Sequence, residues 1–228
     1  MSINVNSLVI EVGRQCNMCC DHCLRGAAEN ITMPLDLAFK VIDTFDSISQ
    51  ITFTGGEPML YADNIIKIID YIISNRKSVY GFYMATNGKY VSMPLMLKFA
   101  ELYAYCLDVG GEDEGCRVDM STDFYHEGVD INPILKAFKF FGTRNNVSSL
   151  INEGNAEFYG IGNRNLRKEN HFSISGWADY IDIEMVYVNA KGYIFSDCDY
   201  SYKTQEELAK YKLENIPNII KEYVNEAA

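Results

Sequence analysis

The sequence predicts an α/β protein built on a parallel sheet. Short apolar runs alternate along the chain with longer segments whose apolar residues recur at helical spacing. The apolar run at residues 8–12 suits a strand that is covered on both faces. Polar motifs follow several predicted strands, which is where functional residues of parallel α/β folds lie. Alternation alone leaves two architectures open, an open doubly wound sheet and a closed or partial barrel.

The first three pairs of strand and helix are the most regular. The pattern predicts strands over residues 8–12, 51–54 and 80–86 and helices over residues 34–48, 62–76 and 94–106. Pro34 suits a first helical turn, and the isoleucines of the second helix form an almost continuous apolar stripe. Such repetition is typical of parallel strands joined by right-handed crossovers.

The second half of the chain is less regular. It predicts strands over residues 117–121, 157–162 and 181–188, helices over residues 131–141 and 206–223, and a hairpin turn at Lys191-Gly192. We expect two units, a core domain at residues 1–180 and a C-terminal extension at residues 181–228. In the extension, a hairpin and a helix pack on the core.

Composition excludes several classes of protein. A length of 228 residues with 48% hydrophobic content suits one large core, and a net charge of −11 disfavours an extended nucleic-acid surface. Neither a signal-like N-terminus nor a membrane-spanning apolar run is evident, so we expect a cytoplasmic protein. In that compartment, seven cysteines favour thiols or metal ligands over disulfides.

The most informative segment is the run Arg14-Gln15-Cys16-Asn17-Met18-Cys19-Cys20-Asp21-His22-Cys23. Its C-x3-C-x2-C spacing presents three thiolates, which can ligate three irons of a cubane cluster and leave the fourth iron open. The same run can be read as two adjacent C-x2-C pairs that form a four-cysteine zinc site. Structural zinc sites usually take their two pairs from separated knuckles, so the spacing favours the cluster.

A Gly55-Gly56-Glu57-Pro58 turn follows the second predicted strand. Together with the cysteine spacing, this turn resembles the radical S-adenosylmethionine (SAM) superfamily. The resemblance implies a partial (β/α)6 TIM-like barrel with its site at the C-terminal ends of the strands. It also implies a 4Fe-4S cluster on Cys16, Cys20 and Cys23, with SAM on the fourth iron and Cys19 left as a spare thiol.

The resemblance further implies which residues contact SAM. Gly55, Gly56 and Glu57 would meet its methionyl amine, and the ring of His22 would pack near the cluster and the adenine. Polar residues after the third and fourth strands would meet its ribose or carboxylate, namely Asn87, Ser121 and Asp123. These last three also suit ordinary turns and helix caps.

If the resemblance holds, the reduced cluster cleaves SAM to methionine and a 5′-deoxyadenosyl radical, which abstracts hydrogen from an unidentified small molecule or peptide. Reduced ferredoxin or flavodoxin would donate the electron, in anaerobic or reducing surroundings. Such carriers are usually acidic, so Arg14 and Arg25 beside the cysteines are candidates for a local positive surface. We keep two alternatives, an activase of glycyl-radical enzymes and a non-catalytic zinc or iron-sulfur binding module.

Several other residues remain without an assigned role. The segment Asp123-Phe124-Tyr125-His126-Glu127 is either a substrate contact or a surface loop. A second, auxiliary cluster would need three cysteines that we interpret as isolated thiols, Cys106, Cys116 and Cys198. No residue is assigned to catalysis from the sequence.

Overall fold

A computed structural model describes residues 1–126, 133–145, 149–166, 168–177 and 179–226. The helices are α1 (Leu35–Asp43), α2 (Ala62–Ser74), α3 (Met93–Asp108), α4 (Gly154–Phe158), α5 (Tyr202–Leu208) and α6 (Ile216–Glu226). The strands are β1 (Ser2–Gly13), β2 (Ser47–Gly55), β3 (Ser78–Val79), β4 (Phe82–Thr86), β5 (Cys116–Ser121), β6 (Phe141–Arg144), β7 (Ile174–Trp177), β8 (Tyr180–Val188), β9 (Tyr193–Phe195) and β10 (Tyr211–Lys212).

One mostly parallel sheet organises the described residues. Its strands lie in the order β10-β9-β8-β1-β2-β4-β5-β6, with β3 beside β2 and β7 beside β8. The neighbours from β8 to β6 all pair in parallel, whereas β7, β9 and β10 pair antiparallel. The predicted α/β class is therefore confirmed. The place of β8 beside β1 was not foreseen.

Side-chain alternation gives the sheet two different faces. In β2 and β4, Phe53 and Phe82 are fully buried and lie against Phe99 of α3, with ring centroids 6.0 and 4.9 Å away. The residues that alternate with these phenylalanines along the two strands, such as Thr54 and Tyr83, are half-buried and line a cavity. Because strand side chains point to alternate faces, helices cover one side of the sheet and the cavity lies on the other.

Two predicted elements are wrong. The described part of the predicted helix at 131–141 is instead a short helical turn, Pro133–Ala137, that leads into β6; residues 131–132 lie outside the described ranges. The backbone of β6 pairs with β5, and this contact between distant segments overrides the local helical spacing. The predicted strand at 157–162 is replaced by α4 and a turn at Gly160, whose φ is +66°.

The C-terminal segment is less uniform than predicted. The single helix expected at 206–223 is divided into α5, β10 and α6, and Pro217 occupies the first turn of α6. The predicted hairpin at Lys191-Gly192 is confirmed, since β8 and β9 pair antiparallel across it. β8 pairs with β1 from Ser2 opposite Tyr180 onwards, so the segment after residue 180 continues the main sheet.

Within the described residues, no helix has the length and apolar character needed to cross a bilayer.

Candidate functional site

A cavity of about 400 Å³ brings most of the predicted site residues together. Its wall includes the last residues of β2 and β6, so it lies at the C-terminal ends of the parallel strands. Every predicted site residue except Asp123 lines it: Cys16, Cys20, His22, Cys23, Gly55, Gly56, Glu57, Asn87 and Ser121. Motifs as distant in sequence as Cys16 and Ser121 thus line one cavity.

The cysteine loop is held in a defined conformation by α4. The N–H of Cys23 donates to the carbonyl of Cys20 at 3.1 Å, which closes a turn. Asn155 donates from its side chain to the carbonyl of Cys20 at 2.9 Å and from its backbone to the carbonyl of Cys23 at 2.8 Å. Sequence reasoning missed Asn155, because residues near it were predicted as a strand.

The three predicted ligands differ from the spare cysteine. Cys16, Cys20 and Cys23 are half-buried and line the cavity, whereas Cys19 is exposed and lies outside its wall. Burial and, after it, the neighbouring thiols of Cys23 and Cys16 raise the pKa of Cys20 to about 11. Thiols that disfavour each other's ionisation need a cation to become thiolates, so this donor set fits a metal cluster.

The Gly55-Gly56 turn lies directly against the backbone of the cysteine loop. The N–H of Gly56 donates to the carbonyl of Gly13 at 3.0 Å, and the N–H of Glu57 donates to that of Gln15 at 2.8 Å. A Cβ on Gly56 would lie 2.2 Å from the carbonyl oxygen of Gln15. Glycine is therefore required here for the approach of two protein segments, a reason that the sequence did not reveal.

The Glu57 carboxylate joins this turn to the end of β4. It is 2% exposed and accepts hydrogen bonds from the Thr86 hydroxyl at 2.7 Å, the Asn87 N–H at 2.8 Å and the Met59 N–H at 3.0 Å. Burial raises the pKa of Glu57, and these donors oppose the rise. Since three protein donors already use the carboxylate, its contact with SAM stays a prediction.

Two further polar side chains face the cysteines. Asn87 donates to Oδ1 of Asn17 at 2.8 Å, and its Nδ2 lies 3.9 Å from Sγ of Cys16. On the other side, Nε2 of His126 lies 4.0 Å from Sγ of Cys20. Asp123 does not line the cavity; its Oδ1 lies 2.7 Å from Nδ1 of His126.

The ring of His22 stands in a small aromatic group. It stacks on Tyr125 with centroids 4.2 Å apart and meets the edge of His126 at 5.2 Å. Burial lowers the pKa of His22, and its Nδ1 has no hydrogen-bond partner in the described part of the chain. A neutral planar ring on the cavity wall suits packing against another planar group.

Arg144 supplies a cation that sequence reasoning missed. It ends β6, lines the cavity, and donates to Oγ of Ser121 at 3.3 Å and to the Tyr83 hydroxyl at 3.5 Å. Among the residues that the structure describes, no carboxylate forms an ion pair with it. Its signal in the sequence was an arginine at a strand end, but no strand was predicted here, and the helix predicted over residues 131–141 ends before it.

The arginines beside the cysteine loop do not form a positive surface. Arg14 is fully buried and pairs with Glu11 at 2.7 Å. Arg25 is half-buried, donates to the carbonyl of Tyr200 at 2.6 Å and lies 5.1 Å above the ring of Tyr187. The prediction that Arg14 provides positive surface for docking an acidic electron carrier is wrong, because its guanidinium does not reach solvent.

The remaining cysteines lie in two separate places. Cys106 and Cys116 are buried next to each other, the latter at the start of β5. Cys198 lines the cavity at the opposite ends of the strands. The six residues of β5 span roughly 20 Å, so these three thiols do not converge on one cluster.

Comparisons with known proteins agree with this site. The family profile described as a 4Fe-4S single cluster domain matches residues 8–106, which include the cysteine loop and the Gly55-Gly56 turn. An AdoMet-dependent heme synthase of Oleidesulfovibrio alaskensis is 40% identical over 67 residues, 27% of this chain and 17% of its own. The profile and this relative support the predicted resemblance to the radical SAM superfamily, and both agree with a 4Fe-4S cluster and SAM as the cofactors.

The likeness to known proteins extends beyond these segments. Uncharacterized protein MJ0907 of Methanocaldococcus jannaschii is 31% identical over 136 residues, which cover 58% of this chain and 42% of that protein. The chain thus spans less than half the length of these curated relatives. The solved structure of native anSMEcpe with bound AdoMet and Cp18Cys peptide covers 93% of this chain and 78% of its own, with TM-score 0.54 and 11% identity. The fold is therefore shared over almost the whole chain.

Proposed function

We propose that this protein is a radical SAM enzyme whose cluster is held by Cys16, Cys20 and Cys23. One observation carries the proposal: these three thiols, the Gly55-Gly56 turn and Arg144, which has no ion-pair partner among the described residues, line a single cavity. When bound, the reduced cluster and SAM supply reductive cleavage of SAM to methionine and a 5′-deoxyadenosyl radical, which abstracts hydrogen from the substrate. The protein residues bind, orient and shield these groups.

Charge complementarity supports an orientation for the methionyl end of SAM. Its carboxylate suits Arg144, which lacks an ion-pair partner in the described ranges, together with the hydroxyl of Ser121. Its ammonium suits the backbone of Gly55 and Gly56. The adenine suits the ring of His22.

The distribution of cavity residues supports the finer prediction of a partial barrel. Met185 of β8 and Arg144 of β6 line the same cavity, although four other strands lie between β8 and β6 in the sheet. In a flat sheet, strands five places apart would be about 24 Å from each other. A curled sheet accounts for a shared cavity of about 400 Å³.

The substrate is proposed to be a small molecule or a peptide. A peptide is the first class to test, because the anSMEcpe structure holds one together with AdoMet. Reduced ferredoxin or flavodoxin is the proposed electron donor, and a cytoplasmic location stays a prediction. An activase role would require a partner enzyme that gains a glycyl radical.

Anaerobic reconstitution followed by iron counting and a test for reductant-dependent 5′-deoxyadenosine examines the proposal. We expect about four irons per chain and SAM cleavage, both lost when Cys16, Cys20 or Cys23 is changed to Ala. Cys19→Ala is the matched control and should retain both, because its thiol lies outside the cavity wall. Zinc without cleavage would support the binding module instead, and about eight irons would require an auxiliary cluster.

A further inference from the structure

Two side-chain nitrogens lie against the sulfurs of two proposed cluster ligands. Nδ2 of Asn87 is 3.9 Å from Sγ of Cys16, and Nε2 of His126 is 4.0 Å from Sγ of Cys20. Sulfur is larger than oxygen, so hydrogen bonds to sulfur are longer than those to carbonyl groups. Both nitrogens belong to residues on the cavity wall.

The orientation of the Asn87 amide is determined by its other partners. Its nitrogen donates to Oδ1 of Asn17 at 2.8 Å, and its oxygen accepts from the N–H of Lys89 at 3.0 Å. The amide carries two hydrogens on nitrogen, and the second faces Cys16. Asn87 is 6% exposed, so water competes little for this hydrogen.

The orientation of the His126 ring is determined by Asp123. Oδ1 of Asp123 lies 2.7 Å from Nδ1 of the ring and also accepts from the N–H of Tyr125 at 3.0 Å. The side chains of His126 and Asp123 are 9% and 7% exposed. A carboxylate bonded to one ring nitrogen fixes the orientation of the ring and so the direction of its other nitrogen, as is common for histidines around metal centres.

We propose that Asn87 and the Asp123–His126 pair are positioning residues that donate hydrogen bonds to Cys16 and Cys20 and raise the reduction potential of the cluster. The inference rests on the proposed function, because it takes both cysteines as ligands. Reduction adds negative charge that spreads onto the ligating sulfurs. N–H donors to those sulfurs stabilise the reduced form more than the oxidised form.

The test is an EPR-monitored redox titration of the reconstituted protein without SAM. Asn87→Ala and His126→Leu should each shift the midpoint potential to more negative values, and the double variant should shift it further. His126→Gln keeps an N–H donor and should return the potential toward that of the wild type. The matched controls are Asn75→Ala and His171→Leu, since both residues are exposed and lie outside the cavity wall; they should cause no shift.

The outcomes separate this inference from the function on which it rests. Unchanged potentials in Asn87→Ala and His126→Leu, with normal iron content, would overturn the inference and leave the function standing. A wild-type protein that binds no cluster would overturn the function itself.

A second measurement covers the case in which His126→Leu does not retain its cluster. Pulsed EPR of reduced protein labelled with ¹⁵N-histidine should show a nitrogen coupling that is weaker in His126→Gln, in which His22 is the labelled ring left on the described cavity wall. If the same spectrum is obtained from both proteins, the ring does not contact the cluster and the His126 contribution is rejected.

Discussion

Changing Arg14 to Met tests whether a buried ion network supports the cysteine loop. Nε of Arg14 lies 2.7 Å from Oε1 of Glu11, and both side chains are fully buried. The same guanidinium donates to Oε1 of Gln205 at 2.6 Å and lies 4.2 Å above the ring of Tyr202. One cation therefore joins β1, the first residues of the cysteine loop and α5.

The magnitude follows from what Arg14→Met leaves behind. Met fills part of the volume but leaves the buried Glu11 carboxylate without its cationic partner, with the Tyr187 hydroxyl and the Ala190 N–H among its remaining donors. Removing one partner of a buried ion pair costs about 3–5 kcal/mol. Domains unfold with a free energy of about 5–15 kcal/mol, so this is a large share of the stability.

Urea unfolding of the apoprotein under anaerobic, reducing conditions measures the effect. The double variant Glu11→Gln, Arg14→Met should be less destabilised than the sum of its single variants, because it removes the unpaired charge. Lys191→Met is the control; it breaks an exposed pair with Glu206 and should cost about 0.2–1 kcal/mol. A loss below about 1 kcal/mol for Arg14→Met, or simple additivity in the double variant, would refute the reasoning.

Three further predictions concern the surroundings of the cavity. Gly56→Ala should reduce iron content after reconstitution several-fold, because its Cβ would displace the Gln15 carbonyl that lies 2.2 Å away. Asn155→Ala should cost about 1–3 kcal/mol in urea unfolding and accelerate cluster loss to a chelator, since the Cys20 carbonyl of the cysteine loop loses its side-chain donor. Burial raises the pKa of Glu153, but Lys168 at 2.5 Å holds this pKa below its ordinary value of 4.5. The stability that this carboxylate contributes should therefore be complete above pH 4.5 and lost as the pH falls through the folded-state pKa.

Controls and contrary results are available for each of these. Gly115→Ala should leave iron content unchanged, because a Cβ there meets only ordinary contacts; equal iron in Gly56→Ala would contradict the prediction. For Glu153, urea unfolding of wild type and Glu153→Gln should differ at pH 7 and converge near pH 3, whereas exposed Glu157→Gln should show little difference at either pH. A pH-independent difference for Glu153→Gln would exclude the linkage. Chelator kinetics identical to wild type would contradict the prediction for Asn155→Ala.

The parts of the site that could be predicted from the sequence are those that consist of short motifs. The cysteine loop and the Gly55-Gly56 turn each lie within a few residues, so their spacing alone indicates their chemistry. Arg144 and Asn155 act through contacts with distant segments, β5 and the cysteine loop. Their roles depend on strand pairing and helix packing, which local periodicity does not record.

The same distinction applies to the fold. The regular strands and helices before residue 110 were predicted because their apolar spacing is strong, and the structure differs from those predictions mainly at their ends. β6 has four residues, Phe141–Arg144, and only one of them is a large apolar residue. A strand of four residues is too short to show the apolar alternation that would distinguish it from the end of a helix. Its pairing with β5 decides its conformation.

The pairing of β8 with β1 has a consequence for biosynthesis. Ser2 lies opposite Tyr180, so the strand that precedes the cysteine loop, which pairs with β2 on one side, gains its second neighbour β8 only when the ribosome has made most of the chain. Contacts between such distant segments form slowly, because a long loop must close first. In the nascent chain, the strand before the cysteine loop would therefore lack its pairing with β8, and cluster insertion should follow release of the full-length chain.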